Sequence, residues 1–404
     1  MRQVTSTYEQ ILDYSNRADP YPLYTELRKT PVSREEDGTY IVSTYQEIVS
    51  LLHDPRVSSD PRNFPKGHHR RDVALGGFIS LDPPDHDRVR RETMRHFGPP
   101  RDPERIDAMR PWLVEVVRGL IDGFAEKQRV DIVDDFAYPF PVTVICQLLG
   151  VPREDEPRFH GWVDTIVETI DPGLDRGPEQ QRRRDQANTE FGRYMAELAD
   201  AHRRQPGDDM LSGLVTDPGP EGQLSRGELI GTARLLLLAG HETTVNLITN
   251  GMLTLLRHPD MLEQLRREPD LVVGAVEELL RYEPPVHILP NRVALDDIDI
   301  AGSTIPKGSP ITLVLASGNR DPDRFIDPDG FDPERQDNQH LGFGSGIHSC
   351  FGAPLARSEA QIALSELARW LVSPRLVADP PPYRRSPVLR GPRHLAVEYD
   401  RVKT

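Results

Sequence analysis

The sequence predicts a mainly α-helical fold with a small β-sheet region, and three observations carry that expectation. A capping box, Ser225-Arg226-Gly227-Glu228, opens a helical pattern that runs to a stop at His258-Pro259. Helical stretches of ordinary length flank it at 131–151, 272–282 and 353–371. Strand-like segments are few and short, at 39–43, 298–301, 311–315 and 395–399.

Composition narrows the functional classes. Lys and Arg total 49 against 64 Asp and Glu, a net charge of −15. The summed field repels phosphates, which argues against a general nucleic-acid or membrane-surface binder. The 404 residues alone would suggest about two to three domains. No repeat, Ser/Gly linker or low-complexity segment divides them, so a single domain over 1–404 is expected. The first 29 residues are polar, with no signal peptide or anchor. No apolar run approaches the ~20 residues that span a bilayer, and two unpaired cysteines fit a reducing cytoplasm.

Taken in order, 21–28 and 45–53 read as helices. From 54 to 79 the text turns to Pro, Gly, Arg and His without periodicity, a length usually disordered or functional. Phe64, Phe78 and Ile79 are its apolar side chains for a pocket wall. A helix follows Pro83-Pro84, on which His86 and Arg90 share a face while Arg88, Arg91 and Arg95 gather nearly opposite. Inward donors of this kind want buried anions; an ordinary solvated helix is the alternative. Cys146, in the apolar run 142–149, reads as a small core residue. Helices continue to about 202, broken at Asp171-Pro172-Gly173 and Gly177-Pro178, where a mobile lid would fit.

The long helix spans about 46 Å and is apolar all round over Leu235–Ala239, which predicts burial. Its middle, Gly240-His241-Glu242-Thr243-Thr244, is polar, and buried polar groups are costly unless satisfied. A structural account has the Thr243 hydroxyl bonding the Ala239 carbonyl. Glu278 and Arg281, at i,i+3, read on their own as a surface pair.

Cys350 lies in Leu341-Gly342-Phe343-Gly344-Ser345-Gly346-Ile347-His348-Ser349-Cys350-Phe351-Gly352, with a helix starting behind it at Ala353-Pro354. Gly344 and Gly346 allow φ > 0 turns, Gly352 clears space for a flat group, and the helix N-terminus favours a thiolate. A core cysteine, a zinc site with His340 and His348, and a redox or nucleophilic thiol compete on this stretch alone. Paired Cys-x-x-Cys spacing for zinc is absent.

Phe343, Gly344, Gly346, His348, Cys350 and Gly352 resemble the haem-binding loop of the cytochrome P-450 superfamily, Phe-Gly-x-Gly-x-His-x-Cys-x-Gly, at every fixed position. His86 and Arg90 resemble its His-x-x-x-Arg. Ala239, Gly240, Glu242 and Thr243 resemble its Ala-Gly-x-Asp/Glu-Thr oxygen-binding helix. Glu278 and Arg281 match its Glu-x-x-Arg, Arg292 a further propionate ligand, and Asn319-Arg320-Asp321-Pro322 through Arg335 its coil before the Cys loop. The resemblance covers nearly the whole chain, in the family's order.

It implies the cytochrome P-450 fold, one haem b and dioxygen as co-substrate. Cys350 would be the sole protein ligand to iron, with His86, Arg90, Arg292 and His348 on the propionates. Phe343 would shield the thiolate, and Glu242 and Thr243 would relay protons. Pocket-wall candidates are Phe78, Ile79, Leu235, Leu236, Ala239, Val286, Ile288, Leu289, Val388 and Leu389, with His287 a polar contact. The expected activity is hydroxylation or epoxidation of a mostly apolar small molecule, as in secondary metabolism. The alternatives are non-insertion oxidation (coupling, desaturation, peroxide-driven) and a non-catalytic haem protein. No flavin- or nicotinamide-binding motif is present, so a separate ferredoxin and reductase are expected, the ferredoxin docking near Arg88, Arg91, Arg95 and the Cys350 loop.

Overall fold

A computed structural model describes residues 5–65, 76–98, 103–167 and 177–403. Its helices are α1 (Thr7–Leu12), α2 (Tyr21–Arg28), α3 (Tyr45–His53), α4 (Asp85–Met94), α5 (Pro103–Asp122), α6 (Pro139–Leu149), α7 (Glu156–Val167), α8 (Pro178–Arg204), α9 (Met210–Thr216), α10 (Arg226–Arg257), α11 (Pro259–Arg267), α12 (Val272–Tyr282), α13 (Leu315–Gly318) and α14 (Ala353–Trp370). The strands are β1 (Val32–Arg34), β2 (Tyr40–Val42), β3 (Val57–Ser58), β4 (Arg129–Asp131), β5 (Leu289–Ala294), β6 (Ile298–Ile300), β7 (Ser303–Ile305), β8 (Pro310–Leu313), β9 (Leu371–Val372), β10 (Arg375–Leu376), β11 (Ala396–Glu398) and β12 (Arg401–Val402). No helix among the described residues is long and apolar enough to cross a membrane.

The main sheet has the order β1-β2-β8-β5-β3, with β2 parallel to β8 and the other pairs antiparallel. Small sheets β10-β11-β4, β12-β9 and β6-β7 complete the β structure. The expected strand segments become β2, β6, β8 and β11.

α10 organises the helical part. Ser225 Oγ accepts from the Glu228 N–H while the Glu228 carboxylate accepts from the Ser225 N–H, so both ends of the capping box close. The helix stops where Pro259 has no N–H to continue it. At 32 residues it is about 48 Å long, and α6, α8, α12 and α14 pack on it.

Three segments differ from expectation. The stretch 131–151 is not one helix: the Asp131 carboxylate accepts the Val133 and Leu395 N–H groups, ending β4, and a π-helical turn Val133–Ala137 precedes α6. α5, not read from the sequence, carries a buried stripe of Ile106, Leu113, Val117 and Ile121 hidden among charges and the interior Pro111. Between 54 and 79 lie β3 and short 3-10 turns at Pro61–Asn63 and Phe78–Ser80. The suggested lid break at Asp171-Pro172-Gly173 lies outside the described residues, while Gly177-Pro178 opens α8.

Candidate active site

The loop before α14 is folded around the sulfur. The Cys350 N–H donates to the Phe343 carbonyl (2.8 Å), closing the loop on itself. Gly344 (φ 66°) and Gly346 (φ 69°) take left-handed conformations, and a Cβ on Gly346 would lie 2.2 Å from the Leu52 carbonyl oxygen. Cys350 and Gly352 line a cavity of about 1350 Å³, counting its open mouth, and nothing lies within 4 Å of where a Gly352 Cβ would be. The sulfur is accessible where it faces this cavity. Protein around it raises the thiol's pKa, opposed by the Gly352 N–H, Arg90, Arg357 and the Ala353 N–H. Those opposing groups all favour a thiolate. Cys146 is different: it is buried in α6, and burial pushes its thiol up to about 12.

Donors without anions gather beside the loop. Arg90 and Arg292 line the cavity, and neither forms an ion pair among the described residues. Arg90 donates to the Ser349 carbonyl (2.7 Å), and burial brings Arg292 down to about 10. The His86 and His348 rings sit 4.5 Å apart. His86 Nδ1 meets Asp87 (2.8 Å) and His348 Nε2 meets Ser59 Oγ (2.9 Å), leaving His86 Nε2 and His348 Nδ1 buried with no partner. Burial, with Arg292, His86 and Arg90 nearby, lowers His348 to about 2. Four donor groups with open valences and no facing carboxylate form a site for a bound anion.

Across the cavity stands α10. Leu235, Leu236, Ala239, Gly240 and Thr243 line it, and the Thr243 hydroxyl donates to the Ala239 carbonyl (2.8 Å). Glu242 is not part of the wall. Neighbours on a helix are turned by about 100°, so its carboxylate instead meets Arg384 (2.8 Å).

Phe78, Ile79, Val286 and Leu289 also line the cavity, whereas Phe64, His287, Ile288, Val388 and Leu389 do not. His287 is fully buried with Nδ1 against the Tyr24 hydroxyl (2.7 Å), and its N–H donates to the Val388 carbonyl. Ile288, Val388 and Leu389 pack with Tyr8, Ile11 and Tyr24 in a separate cluster. Alternation along the extended segment explains this, since successive side chains take opposite sides. The sequence reading missed Glu359 on α14, the one acid among the described lining residues. It is buried, one carboxyl oxygen has no partner, and burial raises its pKa well above the usual range. Its place four residues after the buried Leu355 was the available signal.

Outside the cavity, Glu278 and Arg281 form a fully buried pair (2.6 Å), not a surface one. Arg281 also donates to the Asn319, Pro328 and Gly330 carbonyls, and Glu278 accepts from Arg335, Asn338 and the Asp332 N–H. The coil before the Cys loop is thereby tied to α12. His340 contacts Glu277 (3.2 Å), and among the described residues no metal-ligand cluster contains Cys350. Arg88, Arg91 and Arg95 are not a free basic face: Arg88 pairs with Glu228, Arg91 with Glu221, and Arg95 with Asp217 and Glu92.

The family profile described as Cytochrome P450 matches residues 17–398. Cytochrome P450 monooxygenase PikC of Streptomyces venezuelae is 41% identical over 95% of this chain and 92% of its own length. The 6-deoxyerythronolide B hydroxylase of Saccharopolyspora erythraea is 38% identical over 96% and 97%. Among solved structures, Mycobacterium smegmatis CYP164A2 superposes with a TM-score of 0.90 at 38% identity, covering 98% of this chain and all of that one. The chain belongs to the cytochrome P450 family and is an oxidoreductase of the P450 monooxygenase type.

Proposed function

We propose that residues 1–404 form one haem b domain that hydroxylates or epoxidises a mostly apolar small molecule, with electrons from a separate ferredoxin and its reductase. One observation carries this reading: a single cavity brings together Cys350, the anion-free donors and Thr243. The residues fit a haem. His86 Nε2, His348 Nδ1, Arg90 and Arg292 match two propionates, and the open face at Gly352 matches a flat ring.

When bound, the haem supplies dioxygen activation and oxygen transfer, and the thiolate's electron donation favours O–O cleavage. The chain's own residues do the rest. Cys350 holds the iron, with its charge stabilised by the Gly352 and Ala353 N–H groups. Phe343, under the Arg357 guanidinium, covers the loop. Thr243 presents a hydroxyl at the cavity wall, and Glu242 on the next helical step supplies its protons. Phe78, Ile79, Leu235, Leu236, Val286 and Leu289 exclude water and orient an apolar substrate. Relatives named for hydroxylating 6-deoxyerythronolide B and mycinamicin IV support a macrolactone from secondary metabolism.

Turnover of a macrolactone panel under isotopically labelled dioxygen tests this. One labelled oxygen per product molecule is expected. A product oxidised without label overturns insertion and favours coupling or desaturation.

A further inference from the structure

We propose that Arg384 is a latch on proton entry, holding Glu242 at the outer end of a polar line that reaches the cavity at Thr243; this rests on the relay role given to Glu242 and Thr243 above. The line begins near the surface. Arg384 lies 2.8 Å from the Glu242 carboxylate, with 16% of its side chain exposed against 2% for Glu242. One helical turn on, Asn246 is completely buried, and neither its amide nitrogen nor its oxygen has a partner. Open valences in a buried amide mark a place for ordered water.

The segment 384–391 is shaped to keep this line. The Arg384 N–H donates to the Gly391 carbonyl (3.0 Å), so the segment closes on itself and presents both residues to α10. A Cβ at Gly391 would fall 2.3 Å from Asn246 Oδ1, so the glycine leaves the amide its room. The His241 ring stands 3.7 Å from the other Glu242 oxygen. Arg384, Glu242 and Asn246 thus follow one edge of α10, beside the face that carries Thr243.

The latch works through charge. Ionised Glu242 pairs with Arg384 and points away from the cavity. A proton from solvent, entering at the exposed edge of Arg384, adds to a Glu242 oxygen and removes the charge that held the guanidinium. The released acid turns toward Thr243 and gives that proton to the hydroxyl oxygen, which passes its own proton into the cavity. Glu242 is then a carboxylate again and returns to Arg384. One proton enters and one leaves, and no electron moves within the line.

The test uses the haem-loaded protein supplied with a plant-type ferredoxin, its reductase and NADPH, with dioxygen consumption read in light and heavy water. Glu242→Gln should slow consumption by about a hundredfold and raise the solvent isotope effect, as loss of a proton donor does. No change there sinks the relay role itself. If Glu242→Gln behaves as expected, Arg384→Gln decides the latch. It should slow consumption about tenfold and move the infrared band of the Glu242 carboxylate, identified as the difference between wild type and Glu242→Gln, to the position of a protonated acid. Wild-type rate and an unmoved band in Arg384→Gln overturn the latch while leaving the relay standing. Wild-type protein alone gives a further check should that variant misfold. Its Glu242 band at neutral pH should be that of an ionised carboxylate, and a protonated band overturns the latch.

Discussion

Thr243 and Glu242 adjoin in sequence, yet only the hydroxyl reaches the cavity. Thr243→Ala should keep haem and substrate binding but release more reducing equivalents as peroxide, because the last donor before the cavity is gone. Product per NADPH measures it, and a wild-type ratio would contradict the assignment. At this scale the sequence was legible where residue type and spacing allow few uses. Cys350, His348, Arg90 and Arg292 are such residues, and each faces the cavity. It was not legible where direction matters. His287 and Ile288 sit between the lining residues Val286 and Leu289 but turn into another cluster, and composition says nothing of which way an extended segment faces. Arg384 was invisible for a related reason, since its partner lies far away in sequence.

At the scale of elements, the tie between α12 and the coil before Cys350 bears most weight. Glu278→Ala would strand a fully buried guanidinium, and such losses typically amount to about 3–5 kcal/mol. Denaturant unfolding should show that drop, together with weaker haem retention; a change below about 1 kcal/mol would mean the pair acts like a surface one. Glu277 adds a pH-dependent tie to α14. Burial would raise its pKa, but hydrogen bonds from Arg357 and His340 outweigh it and bring the carboxyl down from 4.5 to about 2. A depressed acid stabilises the fold above its ordinary value and loses that contribution as pH falls through the folded one. Stability of wild type should therefore fall more steeply than that of Glu277→Gln between 4.5 and about 2; parallel curves would contradict this. Helices with a clean cap or stop, α2, α3, α10 and α12, were readable at their boundaries, whereas α5 was lost among its own charges and Pro111.

At the scale of the whole molecule, the net charge of −15 makes local charge decisive for an acidic electron donor. The arginines on α4 are spent on acids of the same chain. Arg88→Glu with Arg91→Glu should consequently cost stability, by placing like charges at Glu228 and Glu221, without slowing reduction by a ferredoxin at low salt. Selective loss of reduction rate with unchanged stability would restore that face as the docking site. The account's central claim is that Cys350 alone ligates the haem iron. The most direct measurement is the absorption spectrum of the reduced, carbon monoxide-bound protein. Wild type and Cys146→Ala should both carry the thiolate band, and Cys350→Ser should lose it; a thiolate band that survives in Cys350→Ser would contradict the claim.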